Sequence, residues 1–181
     1  VLMQNRPGTF SHRGGDTVVL EKLSQGLKAR GVDVTIDVGQ SEDPKAYDLV
    51  HLFNFATPEL TTYLGERAKS AGVPFVVTTL YEDLPSFHHQ SHAVAISLME
   101  YVARGQDRAW LKNNMMDVSY VVPADRLAAD WLAENATLLF TNGERESAAI
   151  KRDFPAVGRV VEVPLGHDIG VMAGPELFER E

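Results

Sequence analysis

Residues 47–80, YDLVHLFNFATPELTTYLGERAKSAGVPFVVTTL, decide the fold class. Tyr47 to Phe55 is nearly all apolar at its centre, as in a strand buried on both faces. Thr57 stands where a helix cap belongs, and Pro58 takes the first helical position, where a missing N–H costs nothing. Leu60, Leu64, Ala68 and Ala71 then recur at helical spacing, and Gly72 stops the helix. Val73 to Leu80 is a second β-branched run that reads as buried on both faces. Strand, helix and strand in this order form the unit from which parallel sheets are built.

The same alternation continues in both directions. Val1 to Met3 reads as the end of a first strand, and the polar, Gly-rich stretch Gln4 to Asp16 reads as a loop. Asp16 or Thr17 caps the next helix, with Val19, Leu20, Leu23 and Leu27 on one face and Gly31 at its left-handed terminus. Val32, Val34, Ile36 and Val38 alternate with polar residues, a period-two strand with one less buried face. Downstream, Ser91 to Ala103 reads as a helix, while Gly105 to Val122 fits either a second helix or a loop. Ala124 to Ala133 is a helix with Leu127, Ala128, Trp131 and Leu132 on one face. Thr137 to Thr141 is a strand, Gly143 to Asp153 a helix, and Arg159 to Val163 the last strand. The pattern predicts an α/β fold with a doubly wound, mostly parallel, Rossmann-like sheet. Residues 1–170 are expected to form this domain, and 171–181, with Gly174-Pro175 and a charged end, a linker or the start of a further domain.

Composition narrows the classes. At 181 residues the chain suits one domain with a real core. Its 17 basic and 25 acidic residues give a net charge of −8, which provides no electrostatic footprint for a nucleic-acid backbone or an anionic membrane. The absence of cysteine rules out disulfides and thiolate metal sites and fits a reducing, cytoplasmic setting. No apolar run approaches the roughly 20 residues of a spanning helix. The opening Val1-Leu2-Met3 reads as a strand already under way, so the natural start is expected upstream.

In a doubly wound sheet, ligands bind beyond the carboxyl ends of the strands, where the strand order reverses. Four loops qualify: Asn5 to Asp16, Asn54 to Pro58, Leu80 to Ser91 and Thr141 to Glu146. The first holds His12-Arg13-Gly14-Gly15-Asp16 directly before a helix. Its glycines permit close backbone approach, and a helix N-terminus favours a phosphate; a plain Gly-rich turn accounts for them equally well. The pattern is neither a Walker loop nor GxGxxG, which disfavours nucleotide hydrolases and ordinary NAD enzymes. Asp37, ending the second strand, keeps a dinucleotide reading open.

Other candidates divide between structure and chemistry. His51 lies inside an apolar strand and reads as a hydrogen-bonded core residue. Asn54, at the strand end, either enters the cleft or shapes the turn. Tyr81, Glu82 and Asp83 follow a buried strand and suit a hydroxylated ligand. His88, His89 and His92 form HHxxH, without the Glu of the zinc-protease helix and without an evident second ligand pair, so no metal site is expected. Asn142 reads as a helix cap and Glu144 as a favourable charge in the first turn. Gly166, after the last strand, reads as a backbone-shape requirement, and His167 or Asp168 as a residue that reaches a ligand. There is no nucleophile elbow.

Five ordered stretches resemble the N-terminal domain of a family 4 (group 1) glycosyltransferase of the two-domain GT-B type. They are Gly14-Gly15-Asp16 with the helix ending Leu27-Lys28-Ala29-Arg30-Gly31 and the Val32-Asp33-Val34 after it; Tyr47 to Asn54; Gly72 to Val77; Leu138 to Glu146; and Val161 to Asp168. The resemblance spans nearly the whole chain and is weakest over 84–135. It implies sugar transfer from a nucleotide-diphosphate donor, with retention and without a metal or other cofactor. Arg13, Gly14, Gly15 and Asp16 would then lie on the donor side, and Asn54, Tyr81, Glu82 and Asp83 on the acceptor side, facing a saccharide or other hydroxylated acceptor. A C-terminal domain, expected beyond residue 181, would hold most of the donor, leaving the isolated domain inactive.

Two departures stand out. Many members carry a His just past the strand matched by Val73 to Leu80; here the sequence is Thr79-Leu80-Tyr81-Glu82-Asp83, and Asp83 is the candidate to replace it in catalysis. The family's Pro-Asn-Gly near the end is Pro164-Leu165-Gly166. A saccharide- or nucleotide-binding module without catalysis, and an NAD-dependent enzyme, are the alternative functions.

Overall fold

The computed structural model describes residues 1–55, 58–81, 90, 93–95, 97–98, 101 and 123–166. Six strands form one sheet: β1 (Leu2–Gln4), β2 (Thr35–Asp37), β3 (Val50–Phe53), β4 (Phe75–Thr78), β5 (Leu138–Thr141) and β6 (Val160–Glu162). Every neighbouring pair is parallel, and the order is β2-β1-β3-β4-β5-β6. The helices are α1 (Gly15–Lys28), α2 (Pro58–Ser70), α3 (Pro123–Asn135) and α4 (Glu144–Asp153), with a short 3-10 turn at Pro44–Ala46. The predicted doubly wound α/β architecture is therefore present.

Alternation along the central strands sends side chains to two cores. Leu2, Val50, Leu52, Phe75, Val77 and Leu139 face α2, α3 and α4, meeting Leu64, Ala68, Leu132, Ala133, Ile150 and Phe154. Met3, Val34 and Phe53 face the other way and pack on Leu20 of α1, flanked by Val19, Leu23 and Leu27. Burial on both faces explains why β3 and β4 read as continuous apolar runs.

Helices α1 and α2 end in the same way. Gly31 and Gly72 adopt φ of 81° and 74°. Their N–H groups reach back to Lys28 and Lys69, and the following Val32 and Val73 N–H groups to Leu27 and Ala68. That double closure satisfies carbonyls the helix leaves open, and it needs a left-handed residue. No atom lies within 4 Å of a Cβ placed on Gly72, so Gly72→Ala isolates the backbone strain. It is expected to lower unfolding free energy by about 1 kcal/mol, read from urea denaturation.

Some local expectations change. The outer strands β2 and β6 are shorter than Val32–Val38 and Arg159–Val163, because each pairs on one side only. Helix α1 opens at Gly15 after Gly14, so Asp16 and Thr17 lie inside its first turn and do not cap it. Helix α4 is preceded by Gly143, which displaces Asn142 from the capping position. Leu127 is 70% exposed. The face of α3 that packs is Ala129, Leu132 and Ala133, with the expected Trp131 stacked on Phe75, and Leu127 points away from it. Residues 90, 93–95, 97–98 and 101 are helical, within the expected Ser91–Ala103 helix or next to it. The ambiguous 105–122 stretch, Thr57, the 171–181 segment and the HHxxH histidines lie outside the described residues.

Candidate functional site

Because all six strands run the same way, the described parts of the four candidate loops leave the sheet at one edge. The strand order reverses between β1 and β3. The chain leaving β1 turns to one face and becomes α1, while the chain leaving β3 turns to the other and becomes α2. In sheets of this kind the point where such connections diverge is the general ligand position. Gly14 and Gly15 lie on its β1 side and Asn54 on its β3 side. Three non-glycine residues that follow strands at this edge hold positive φ, Gln40 at 57°, Asn54 at 82° and Leu80 at 45°. Such conformations are costly and persist where the surroundings enforce them.

The β1 loop is a preorganised unit centred on Asp16. Its carboxylate accepts from Asn5 Nδ2 at 3.1 Å, from Arg6 Nε at 2.9 Å and from Arg6 Nη2 at 3.3 Å. Arg6 Nη2 also donates to the His12 carbonyl at 2.7 Å, spanning the loop. Burial pushes the Asp16 carboxyl up, but Arg6, Asn5 and the Thr17 N–H together outweigh it and hold it below its ordinary value. Thr17 Oγ1 donates to the Thr9 carbonyl at 2.9 Å and accepts from Gly14 N–H at 3.2 Å. Gly14 is needed for space: a Cβ there would stand 2.8 Å from Asp16 Oδ1. Gly15 is open, with nothing within 4 Å of such a Cβ.

The predicted donor-side residues thus differ in what they do. Gly14 and Gly15 lead from the β1 loop into α1, and Asp16 holds the loop from within. Arg13 forms a two-pronged pair with Glu21 at 2.8 and 2.7 Å on the exposed side of α1, which raises its pKa through the Glu21 hydrogen bonds and charge. Arg6, which the sequence reading did not single out, is the basic group beside Gly14. Its partner Asp16 is ten residues away, a separation with no recognisable motif.

On the acceptor side, Asn54 is half-buried, and its backbone N–H bonds the Thr78 carbonyl at 2.8 Å. The Tyr81 ring packs edge-on against Phe55 and Phe154, and its hydroxyl donates to Asp153 at 2.8 Å. Tyr81 is therefore a wall of the edge fixed by packing. Glu82 and Asp83 lie outside the described residues. Glu146 of α4 was read only as the end of a loop. Its Oε1 accepts from Thr79 Oγ1 at 2.5 Å and Tyr81 N–H at 2.6 Å, and its Oε2 from Asn142 N–H at 2.6 Å.

His51 is a core residue, as its apolar strand indicated. It is 4% exposed, bonds Thr78 Oγ1 through Nε2 at 2.8 Å and stacks on Phe53 with ring centroids 4.6 Å apart. Burial pushes its pKa down to about 4. Asp37 stands at the end of β2 beside β1, where a dinucleotide site would place its ribose acid. Its Oδ2 is already engaged by Gln4 Nε2 at 3.1 Å and Glu42 N–H at 3.0 Å.

Among the described residues no group of three or more His, Asp or Glu side chains could hold a metal ion, and no helix is long and apolar enough to cross a membrane. The fold defines an α/β domain of the doubly wound class. Neither a family model nor a curated protein matches the chain.

Proposed function

We propose that this domain is the N-terminal half of a GT-B glycosyltransferase that moves a sugar from a nucleotide-diphosphate donor to a hydroxylated acceptor. The observation that carries the reading is that Gly14, Gly15 and the α1 N-terminus follow β1 while Asn54 follows β3, on either side of the β1/β3 switch point. In this reading the donor diphosphate approaches the positive N-terminal end of α1 at Gly15. Arg6 balances the Asp16 carboxylate there, so the helix end keeps its attraction for an anion. As the sugar bond breaks, charge grows on the leaving diphosphate, and oriented N–H groups favour that charge without reorganising. Asn54 and the Tyr81 edge shape the acceptor side, with Glu82 and Asp83 next along the chain and Asp83 the candidate catalytic carboxylate. A C-terminal domain supplies most of the donor contacts, retention is expected, and the reaction takes place in the cytoplasm. The engagement of Asp37 by Gln4 and Glu42 counts against the NAD-dependent alternative.

The test uses the polypeptide as its gene encodes it, assayed for sugar transfer across a donor panel. Gly15→Asp is expected to lower kcat/KM roughly a hundredfold, by setting a negative charge where the diphosphate would lie. An acid at this position favours the helix N-terminus, so thermal stability should not fall. Absence of transfer with every donor, or unchanged turnover in the variant, would overturn the proposal; saturable saccharide binding without turnover would point to a binding module.

A further inference from the structure

We infer that Glu146 is a positioning residue for the acceptor side of the crevice, an inference that rests on the glycosyltransferase reading. One carboxylate ties together two loops at the ligand edge. Oε1 takes the Thr79 hydroxyl and the Tyr81 N–H, and Oε2 takes the Asn142 N–H. Between its two partners on the β4 side stands Leu80, whose φ of 45° is unfavourable for a leucine. Three hydrogen bonds converge on this one side chain.

The neighbouring contacts complete a clamp. Thr79 N–H reaches the Phe140 carbonyl of β5 at 3.0 Å, and Phe55 N–H reaches the Thr79 carbonyl at 2.8 Å. Tyr81 is held at its far end by Asp153, from the same helix as Glu146. The chain leaving β4 is thus fixed through Tyr81 by α4, and Glu82 and Asp83 follow Tyr81 directly. Glu146 fixes the chain at Thr79 and Tyr81, in the last described stretch before them. It touches neither substrate in this account and acts through the Leu80–Tyr81 backbone.

Glu146→Ala removes all three acceptors, whereas Glu146→Gln keeps an oxygen for Thr79 and Tyr81 and loses the contact to Asn142. In the full-length protein, Glu146→Ala is expected to raise the acceptor KM roughly tenfold, with donor KM and kcat changed less than about threefold. Glu146→Gln should restore most of the acceptor KM. Hydrogen exchange at the Tyr81 amide, measured on the 181-residue chain, should speed up roughly tenfold in the alanine variant and less in the glutamine variant, while Leu139 and Val77 stay protected. If the alanine variant fails to fold, Glu146→Gln and Thr79→Val carry the same comparison, each expected to give a smaller rise in acceptor KM. Equal losses of kcat and of donor and acceptor affinity, or unchanged Tyr81 exchange, would overturn the positioning role. If the wild-type protein transfers no sugar, the glycosyltransferase reading fails while the exchange result still decides whether Glu146 holds this edge.

Discussion

Replacing Asp16 by alanine is expected to lower unfolding free energy by about 2–3 kcal/mol and to abolish saturable ligand binding at the crevice. The carboxylate is buried and satisfies Asn5 and both the Nε and Nη2 groups of Arg6. Removing it leaves the Arg6 guanidinium without its counter-charge and frees the loop between β1 and α1. A fully buried pair broken in this way costs about 3–5 kcal/mol. The Arg6 side chain is 27% exposed, so water recovers part of that, which sets the lower figure. Asp16→Asn retains an acceptor for Arg6 and should cost less than the alanine change. Urea denaturation at neutral pH measures both, and a change below about 0.5 kcal/mol in Asp16→Ala would contradict the loop's description. The sign with pH follows from the lowered Asp16 pKa. Its contribution is complete above the unfolded carboxylate range and is lost as pH falls through the folded value.

His51 sets a different and less acidic window. Buried between Phe53 and Thr78, it stays neutral down to about pH 4, against 6.5 when exposed. Above pH 6.5 both states are neutral and no penalty exists. Between 6.5 and about 4 the unfolded chain binds a proton that the folded chain does not, so stability falls as pH falls. The shift corresponds to roughly 3 kcal/mol of lost stability across that interval. Unfolding free energies measured between pH 7 and 4 should show this slope. A double change, His51→Leu with Thr78→Val, removes the titrating ring and its hydroxyl partner together, and should flatten the curve above pH 4.5. A wild-type curve flat from pH 7 to 4.5 would mean that the ring is accessible to protons in the folded state.

The central architecture was legible because two-sided burial leaves a plain record. The apolar runs at 50–53 and 75–78, separated by a helix with a clean stripe at Leu64 and Ala68, admit few other arrangements. Edge strands record less, since β2 and β6 each have one partner and their ends are set by tertiary hydrogen bonds. Of the expected α3 face, Trp131 and Leu132 do pack, joined by Ala129 and Ala133, while Leu127 falls beyond the edge of that face and is left in water.

The site was legible as a set of loops and not as a set of contacts. Gly-Gly before a helix marks a place of close approach, and the structure adds that Gly14 is required by the Asp16 carboxylate beside it. That Arg13 pairs with Glu21, and that Arg6 takes the inward position, depends on side-chain directions in an irregular loop with no periodicity to read. Glu146 was hidden for a similar reason. Its partners, Thr79 and Tyr81, lie more than sixty residues away in the chain and meet it only because β4 and β5 are neighbours. His51 could be read because a lone polar residue inside an apolar strand must find a hydrogen-bond partner, and it does so in Thr78 on the adjacent strand.

The most direct test of the switch-point crevice is a titration of the isotopically labelled 181-residue chain with UDP-glucose and GDP-mannose, followed amide by amide by NMR. Saturable shifts concentrated at Gly14, Gly15 and Asn54, absent in Gly15→Asp, are the predicted result. No saturable shift with either sugar nucleotide, or shifts gathered at Asp48, Gly72 and Thr137 on the opposite edge of the sheet, would contradict it.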